Sequence, residues 1–408
     1  MTTKKARARR LHPSQRESPP PLAASGRILH VMTPRPAFGG DRRRVAALRL
    51  AAQRLAAATC ATPAEAVHWM LALQAQDLAG VKWSLGLRAA GADEAAVEAA
   101  FDAGEIVRSW PMRGTLHVVA AEDLAWMLEL TAPRAIRSAA ARRAALGITE
   151  ADVERARDIA VDALAGRRVM SRAQLLAAFD AGGVSTMGQR GYHVLWYLAQ
   201  TGTLVMASSD GRGQGFARLD EWVARPRHLE ADEAVAELAL RYFLSHGPAT
   251  ARDLARWSGL TVGDVRRGIA ACGGRLATME IGGVAYHLGP EALDAPAPTA
   301  VVLLLPGFDE YLLGYGDRSA ALALEHAEAI VPGANGMFRP TIVVDGEVVG
   351  TWSRRVTAAA VAVEASPFEP FPPLGAPVVD GLEAAARAYG RFLGKPARLA
   401  FSARRSDG

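Results

Sequence analysis

The sequence predicts a mainly α fold with β: tandem winged-helix units, each a helix-turn-helix plus wing, followed by a C-terminal β-barrel-like domain. Three observations carry that expectation. Groups of two or three helical stretches are each followed by a hairpin of strand-like runs. The stretches Ala251–Trp257 and Val262–Ala271 are capped by Thr250 and Thr261 and separated by Ser258-Gly259, the order of a helix-turn-helix. Beyond Pro290–Pro298 the composition turns to strand runs. A chain of 408 residues suggests two to four units, and with half its residues hydrophobic it has material for a sizeable core.

Residues 1–41 read as a disordered basic tail. The first 45 residues hold eleven Lys or Arg against Glu17 and Asp41, while the whole chain is only +5, so the rest is slightly acidic. That tail is suited to nonspecific contact with nucleic acid, or else marks an early start with Met32 the real one. The first unit, 42–120, has helices near 42–57, 63–76 and 93–104, then strands Ile106–Trp110 and Gly114–Val119. Its second helix has a strong start: Thr62 as cap, Pro63 in the first turn and Glu65 three residues on. A helical linker spans 121–165. The second unit, 166–224, has helices near 171–180 and 188–201, then Thr203–Ala207 and Phe216–Leu219 around a Gly-rich tip, Ser208–Gly215. The third, 230–290, runs from a helix near 231–245 through the helix-turn-helix to strands Arg275–Ile281 and Val284–Leu288. The last domain, 299–402, offers strands Val301–Leu305, Thr341–Val344, Glu347–Thr351 and Val361–Glu364, a turn at Asp345-Gly346, and a helix near 379–393.

No run approaches a membrane span and no signal peptide is evident. Cys60 and Cys272 are isolated and match no disulfide or metal-ligand spacing, so a reduced, cytoplasmic protein is expected. Lysine is nearly absent: Lys4, Lys5, Lys82 and Lys395 are the only four. A local basic patch gathers Arg134, Arg137, Arg142 and Arg143, with no acid between Thr131 and Thr149.

The most informative feature is Leu73-Gln74-Ala75-Gln76-Asp77, a polar interruption at the end of an apolar helix. Two glutamines at i and i+2 on a regular helix point to nearly opposite sides. They converge only if the helix ends about there, and Gly80 is a plausible stop. A carboxamide offers an acceptor and two donors without charge, enough for a pair to hold water or a polar ligand. By itself an exposed glutamine pair near a helix end is ordinary.

Together with tandem winged helices and this Gln-x-Gln, three further motifs bear a resemblance: Trp110-Pro111-Met112-Arg113-Gly114-Thr115-Leu116-His117, Leu304-Leu305-Pro306-Gly307-Phe308-Asp309-Glu310-Tyr311-Leu312-Leu313-Gly314-Tyr315 and Val344-Asp345-Gly346-Glu347-Val348-Val349-Gly350-Thr351-Trp352. Over roughly 43–400 the chain resembles the winged-helix family of AlkZ-type DNA glycosylases, which unhook interstrand crosslinks. The resemblance implies a C-shaped scaffold and excision of N7-alkylated purines. One branch of the family carries Gln-x-Gln as its catalytic motif and another has Asp for the second Gln; Gln74 and Gln76 match the first.

The implied chemistry is reasonable. An N7-alkylguanine is cationic and already a good leaving group, so the enzyme must chiefly place a water near C1′ and tolerate oxocarbenium character. Two carboxamides do this without burying a carboxylate. The expected reaction is monofunctional hydrolysis, with no metal or cofactor; Lys82, the lysine near the motif, is the alternative as a Schiff-base lyase. A base tethered to the other strand cannot be fully extruded, so an open groove with probing hairpins is expected. Arg113 and Trp110 are the natural probes, although a tryptophan on a strand, as Trp110 is, more often belongs to a core. Arg212 in the Gly-rich tip and Arg190 are further candidate DNA contacts. His117 and His193 read as structural, Asp309-Glu310 as a fold motif without catalysis, and Asp77 either orients Gln76 or caps the turn. The expected partner is double-stranded DNA bearing alkylated or crosslinked purines, with the protein a monomer near the nucleoid. The competing reading is a non-enzymatic winged-helix regulator. Gly263 and Gly268 in Val262–Ala271 suit a recognition helix poorly, and no heptad stripe supports a dimer.

Overall fold

The computed structural model describes residues 39–208, 214–294, 300–368 and 375–402. Its first decisive departure from local propensity is at the glutamine motif. The helix Pro63–Met70 starts as its cap dictates, with Thr62 Oγ1 accepting the Glu65 N–H at 3.1 Å and Glu65 returning a bond to Ala61 at 2.8 Å. It then stops six residues before the expected end. Leu71 takes φ 66° and ψ −51°, a rare and strained backbone for a branched side chain, and the chain leaves as a strand. That strand, β1 (Ala72–Gln74), pairs antiparallel with β3 (Thr115–Ala120), which follows β2 (Ile106–Met112). Leu71, Ala72 and Leu73 are buried almost completely, so strand pairing and core burial override a sequence that suits a helix. Gly80 is no stop: it lies inside a further helix, Leu78–Gly86, where an added Cβ would meet Asp77 Oδ2 at 2.7 Å.

The linker is two helices, Leu124–Ala145 and Glu150–Ala163. The second unit contributes β4 (Met170–Ser171), β5 (Leu204–Ser208) and β6 (Gln214–Arg218). Through an Arg108–Met206 pairing, β2 joins β5, so the first two units share one six-stranded sheet in the order β1-β3-β2-β5-β6-β4. The third hairpin, β7 (Ala277–Ile281) with β8 (Val284–Leu288), stays a separate two-stranded ribbon. Its helix Val262–Cys272 packs on Ala231–His246 through Gly268, where a Cβ would meet the Val235 carbonyl at 2.7 Å. The glycine thus serves close helix packing.

The last region holds β9 (Val302–Leu305), β10 (Thr341–Val344), β11 (Glu347–Val356), β12 (Val361–Pro367) and β13 (Ala397–Phe401). The expected barrel is corrected: among the described residues these form an open sheet, β13-β12-β11-β10-β9, whose edge strands do not meet. The helix Gly375–Phe392 lies between β12 and the parallel β13 in the chain. It covers one face with Leu382, Ala386, Tyr389 and Phe392, so the core is closed by a helix rather than by curling the sheet. The same cluster holds Val67, Met70, Leu73, Trp83 and Val118, joining this sheet to the first unit; Trp83 Nε1 donates to the Leu304 carbonyl at 2.7 Å. That junction brings the segment after β9 against the glutamine motif. The whole is a mixed α/β protein, and among the described residues no helix is long and apolar enough to cross a membrane.

Candidate active site

The site is best built from the backbone of Gln74-Ala75-Gln76. β1 is an edge strand, so its outward N–H groups need partners from elsewhere. Glu310 supplies one: its Oε1 accepts the Gln74 N–H at 2.9 Å. The Ala75 N–H donates to Leu116 at 2.7 Å, and the buried Arg108 guanidinium donates to the Ala75 carbonyl. One residue on, Asp77 pairs with Arg354 of β11 at 3.2 Å and occupies the N-cap position of Leu78–Gly86 without a side-chain capping bond. The motif is therefore held at Gln74, Ala75 and Asp77 by three different parts of the chain.

In an extended chain, residues two apart share a face. Gln74 closes β1 and is half-buried, Ala75 beyond it is fully buried, and Gln76 is exposed at a bend just past the strand. The helical geometry that would have separated them is absent. Gln74 lies opposite His117 in the register. Arg113, at the tip of the β2–β3 hairpin, reaches back with Nη2 3.4 Å from Gln74 Oε1 and 3.3 Å from His117 Nε2. His117 Nδ1 lies 2.9 Å from the Thr115 carbonyl, which fixes that nitrogen as donor and leaves Nε2 to accept from Arg113. Burial, aided by the Arg113 charge, drives the His117 pKa down to about 4, so the ring is neutral. Gln76 makes no side-chain bond among the described residues and is open to a ligand.

Beside Arg113 a cleft of about 380 Å³ opens between the hairpin tip, the helix Leu124–Ala145 and the turn Ser258–Leu260; Arg134, Ser138 and Trp196 line it. Arg134 and Arg137 of the basic patch are exposed, whereas Arg142 and Arg143 engage Gln189 and Glu150.

Other expected contacts fall elsewhere. Trp110 is corrected: it is 4% exposed, in the core of the second unit, with its ring edge-on to Tyr192 at 6.3 Å, so it cannot probe a duplex. Arg190 is tied to the Ser185 and Leu146 carbonyls and to Asp152, which fits a clamp within the protein. Arg212 lies outside the described residues. His193 is buried beside Trp196. Lys82 is held by Glu94 at 3.4 Å and Glu98 at 2.5 Å. Sequence reasoning overlooked Arg108 and Arg354, whose partners are remote in sequence, and underrated Glu310. For Glu310 a signal existed, since an acid between apolar neighbours in Phe308–Leu313 asks for a partner.

Comparison with known proteins identifies the family. The family model of AlkZ-like DNA glycosylases matches residues 67–392. An interstrand DNA cross-link repair glycosylase of Streptomyces sahachiroi is 30% identical over 327 residues, covering 76% of this chain and 87% of that protein. The solved structure of the Streptomyces sahachiroi DNA glycosylase AlkZ superposes with a TM-score of 0.72 at 26% identity, over 88% of this chain and 99% of that one. The chain belongs to the AlkZ-like family of DNA glycosylases, hydrolases of N-glycosyl bonds.

Proposed function

We propose that this glycosylase excises N7-alkylated purines from double-stranded DNA and unhooks interstrand crosslinks, with Gln74 and Gln76 as its catalytic pair. The observation that carries the reading is the Gln74-Ala75-Gln76 segment at the end of β1, pinned through the backbone of Gln74 and Ala75, with the Gln76 carboxamide exposed and unengaged and with Gln74 touched by Arg113, which lines an open cleft. The relative from Streptomyces sahachiroi, named for crosslink repair, supports the substrate class.

In this mechanism the C1′–N9 bond breaks with its electron pair leaving on the base, which neutralises the alkylpurine cation. The sugar acquires positive charge, water adds at C1′, and the water's proton passes to solvent. The carboxamides orient that water and face their oxygen dipoles to the sugar, at little reorganisation cost because their backbone is already fixed. A cleft open to solvent tolerates a base still tethered to the opposite strand, which an enclosed pocket would not. Arg113 and Arg134 flank it and meet the phosphate backbone. The three helix-plus-hairpin units act as winged helices, divided near 42–120, 166–224 and 230–290, in a monomer that works on the nucleoid.

The test is excision from duplexes bearing N7-methylguanine or a defined N7-linked crosslink, read as abasic sites. Gln74→Ala and Gln76→Ala each lower the single-turnover rate at least about a hundredfold, the scale of losing a preorganised polar group. Undiminished excision in both variants refutes the assignment.

A further inference from the structure

Two adjacent acids under the site are treated oppositely by their surroundings. Asp309 is neutralised: Arg88 binds both its oxygens at 3.0 Å, and Ser84 donates to it at 2.5 Å. Glu310 is fully buried and has no such partner. Its oxygens accept the Gln74 N–H at 2.9 Å and the Trp257 indole N–H at 2.8 Å, both uncharged donors. His246 Nε2 stands off at 3.8 Å, with Nδ1 2.9 Å from Ser245 Oγ. Among the described residues no arginine or lysine lies within 4 Å of this carboxylate. Burial pushes its pKa up, but the neighbouring His246, with His117 and the Gln74 amide, more than offsets that and brings it below the usual range.

An ionised, buried carboxylate without a cation is costly to keep. Its position gives a reason. It sits directly behind the peptide of Gln74, and in the DNA-free chain a cation is already drawn to that spot, with Arg113 resting on the Gln74 carboxamide and on His117. The glutamines bring dipoles only, whereas substrate and transition state are both cationic.

We propose that Glu310 is the counter-charge of this active site: through the Gln74 amide and the low-dielectric core it stabilises the cationic alkylpurine and the positive charge that grows on the sugar. It is a positioning residue, touching neither base nor sugar, and its influence is long in range because so little water screens it. The proposal rests on Gln74 facing the reacting sugar.

The test uses the intact protein and two uncleavable duplexes, one with a pyrrolidine abasic analogue, cationic at neutral pH, and one with neutral tetrahydrofuran. The wild type binds the pyrrolidine duplex at least about tenfold more tightly. Glu310→Gln brings the two affinities close to parity, and Glu310→Asp, which keeps the charge, restores most of the ratio. A purely structural role weakens both duplexes alike and leaves the ratio intact; that result in a folded Glu310→Gln overturns the proposal. Equal binding by the wild type overturns it without any variant. Should Glu310→Gln not fold, by circular dichroism, a ratio kept in Glu310→Asp supports the proposal and one lost there overturns it. Because neither analogue is cleaved, these readings are separate from the excision assay on Gln74→Ala and Gln76→Ala.

Discussion

The hairpins of the first and third units are the same device under different loads. Each turns in two residues that both take positive φ, Arg113 (53°) with Gly114 (68°) and Gly282 (59°) with Gly283 (76°). The third uses glycine twice, on a ribbon whose strands are largely exposed or half-exposed. The first places an arginine where glycine is preferred, on strands buried along most of their length. Each carries a histidine on its return strand. His117 is sealed against Arg113 and Gln74, while His287 is half-buried, 3.2 Å from Thr278 Oγ1. Strain and a buried titratable ring are kept together only where the tip reaches the glutamine motif, which marks that hairpin as part of the site.

The largest effect that sharpens this contrast is on pH. His117 titrates near 4 when folded and near 6.5 when unfolded. Its neutral form is the one the fold accommodates, so the unfolded chain binds more protons between those values. Stability is complete above pH 6.5 and is lost as pH falls toward 4, by about 3 kcal/mol from this ring. Urea unfolding at pH 7 and pH 4.5 measures it: the difference between the two shrinks clearly in His117→Gln and much less in His287→Gln. Equal effects of the two substitutions would dissolve the distinction between the hairpins.

Next in size is Arg113→Gly. Glycine accepts φ 53° freely, so the fold gains about 1 kcal/mol in chemical denaturation, while excision falls roughly tenfold as the contacts to Gln74, His117 and phosphate vanish. Stability and activity moving in opposite directions is the signature; a variant that loses neither places the arginine outside the site. The smallest effect is Gly283→Ala. No atom lies within 4 Å of the added Cβ, so only the φ of 76° matters, and it costs about 1 kcal/mol with excision unchanged. A drop in excision there would bring the third hairpin into the mechanism.

Much of the helix and strand order is legible because its signals are local. The Thr62, Ser171, Thr250 and Thr261 caps all form as read, and the Asp345-Gly346 and Gly282-Gly283 turns sit where their φ requirements put them. The misreadings share one cause. Leu71-Ala72-Leu73 is apolar and suits a helix, and only its neighbour β3, more than forty residues on, makes it a strand. Trp110 is ambiguous between probe and core until the second unit covers it. β13 escapes notice because alternation in Ala397–Phe401 is weak, and its pairing with β12 depends on the helix between them.

What the sequence by itself determines here is chemistry and inventory: two neutral glutamines, a hairpin ending in Arg-Gly, and helices with their starts marked, all written in residue types and short spacings. What only the tertiary structure decides is direction and charge balance. Whether the glutamines face one way follows from a strand pairing remote in sequence. Which of two neighbouring acids keeps an unopposed charge follows from where Arg88 and Gln74 arrive. The physical reason is range: caps and turns close over three or four residues, whereas edge-strand pairing joins segments more than forty residues apart and the buried carboxylate joins segments more than two hundred apart.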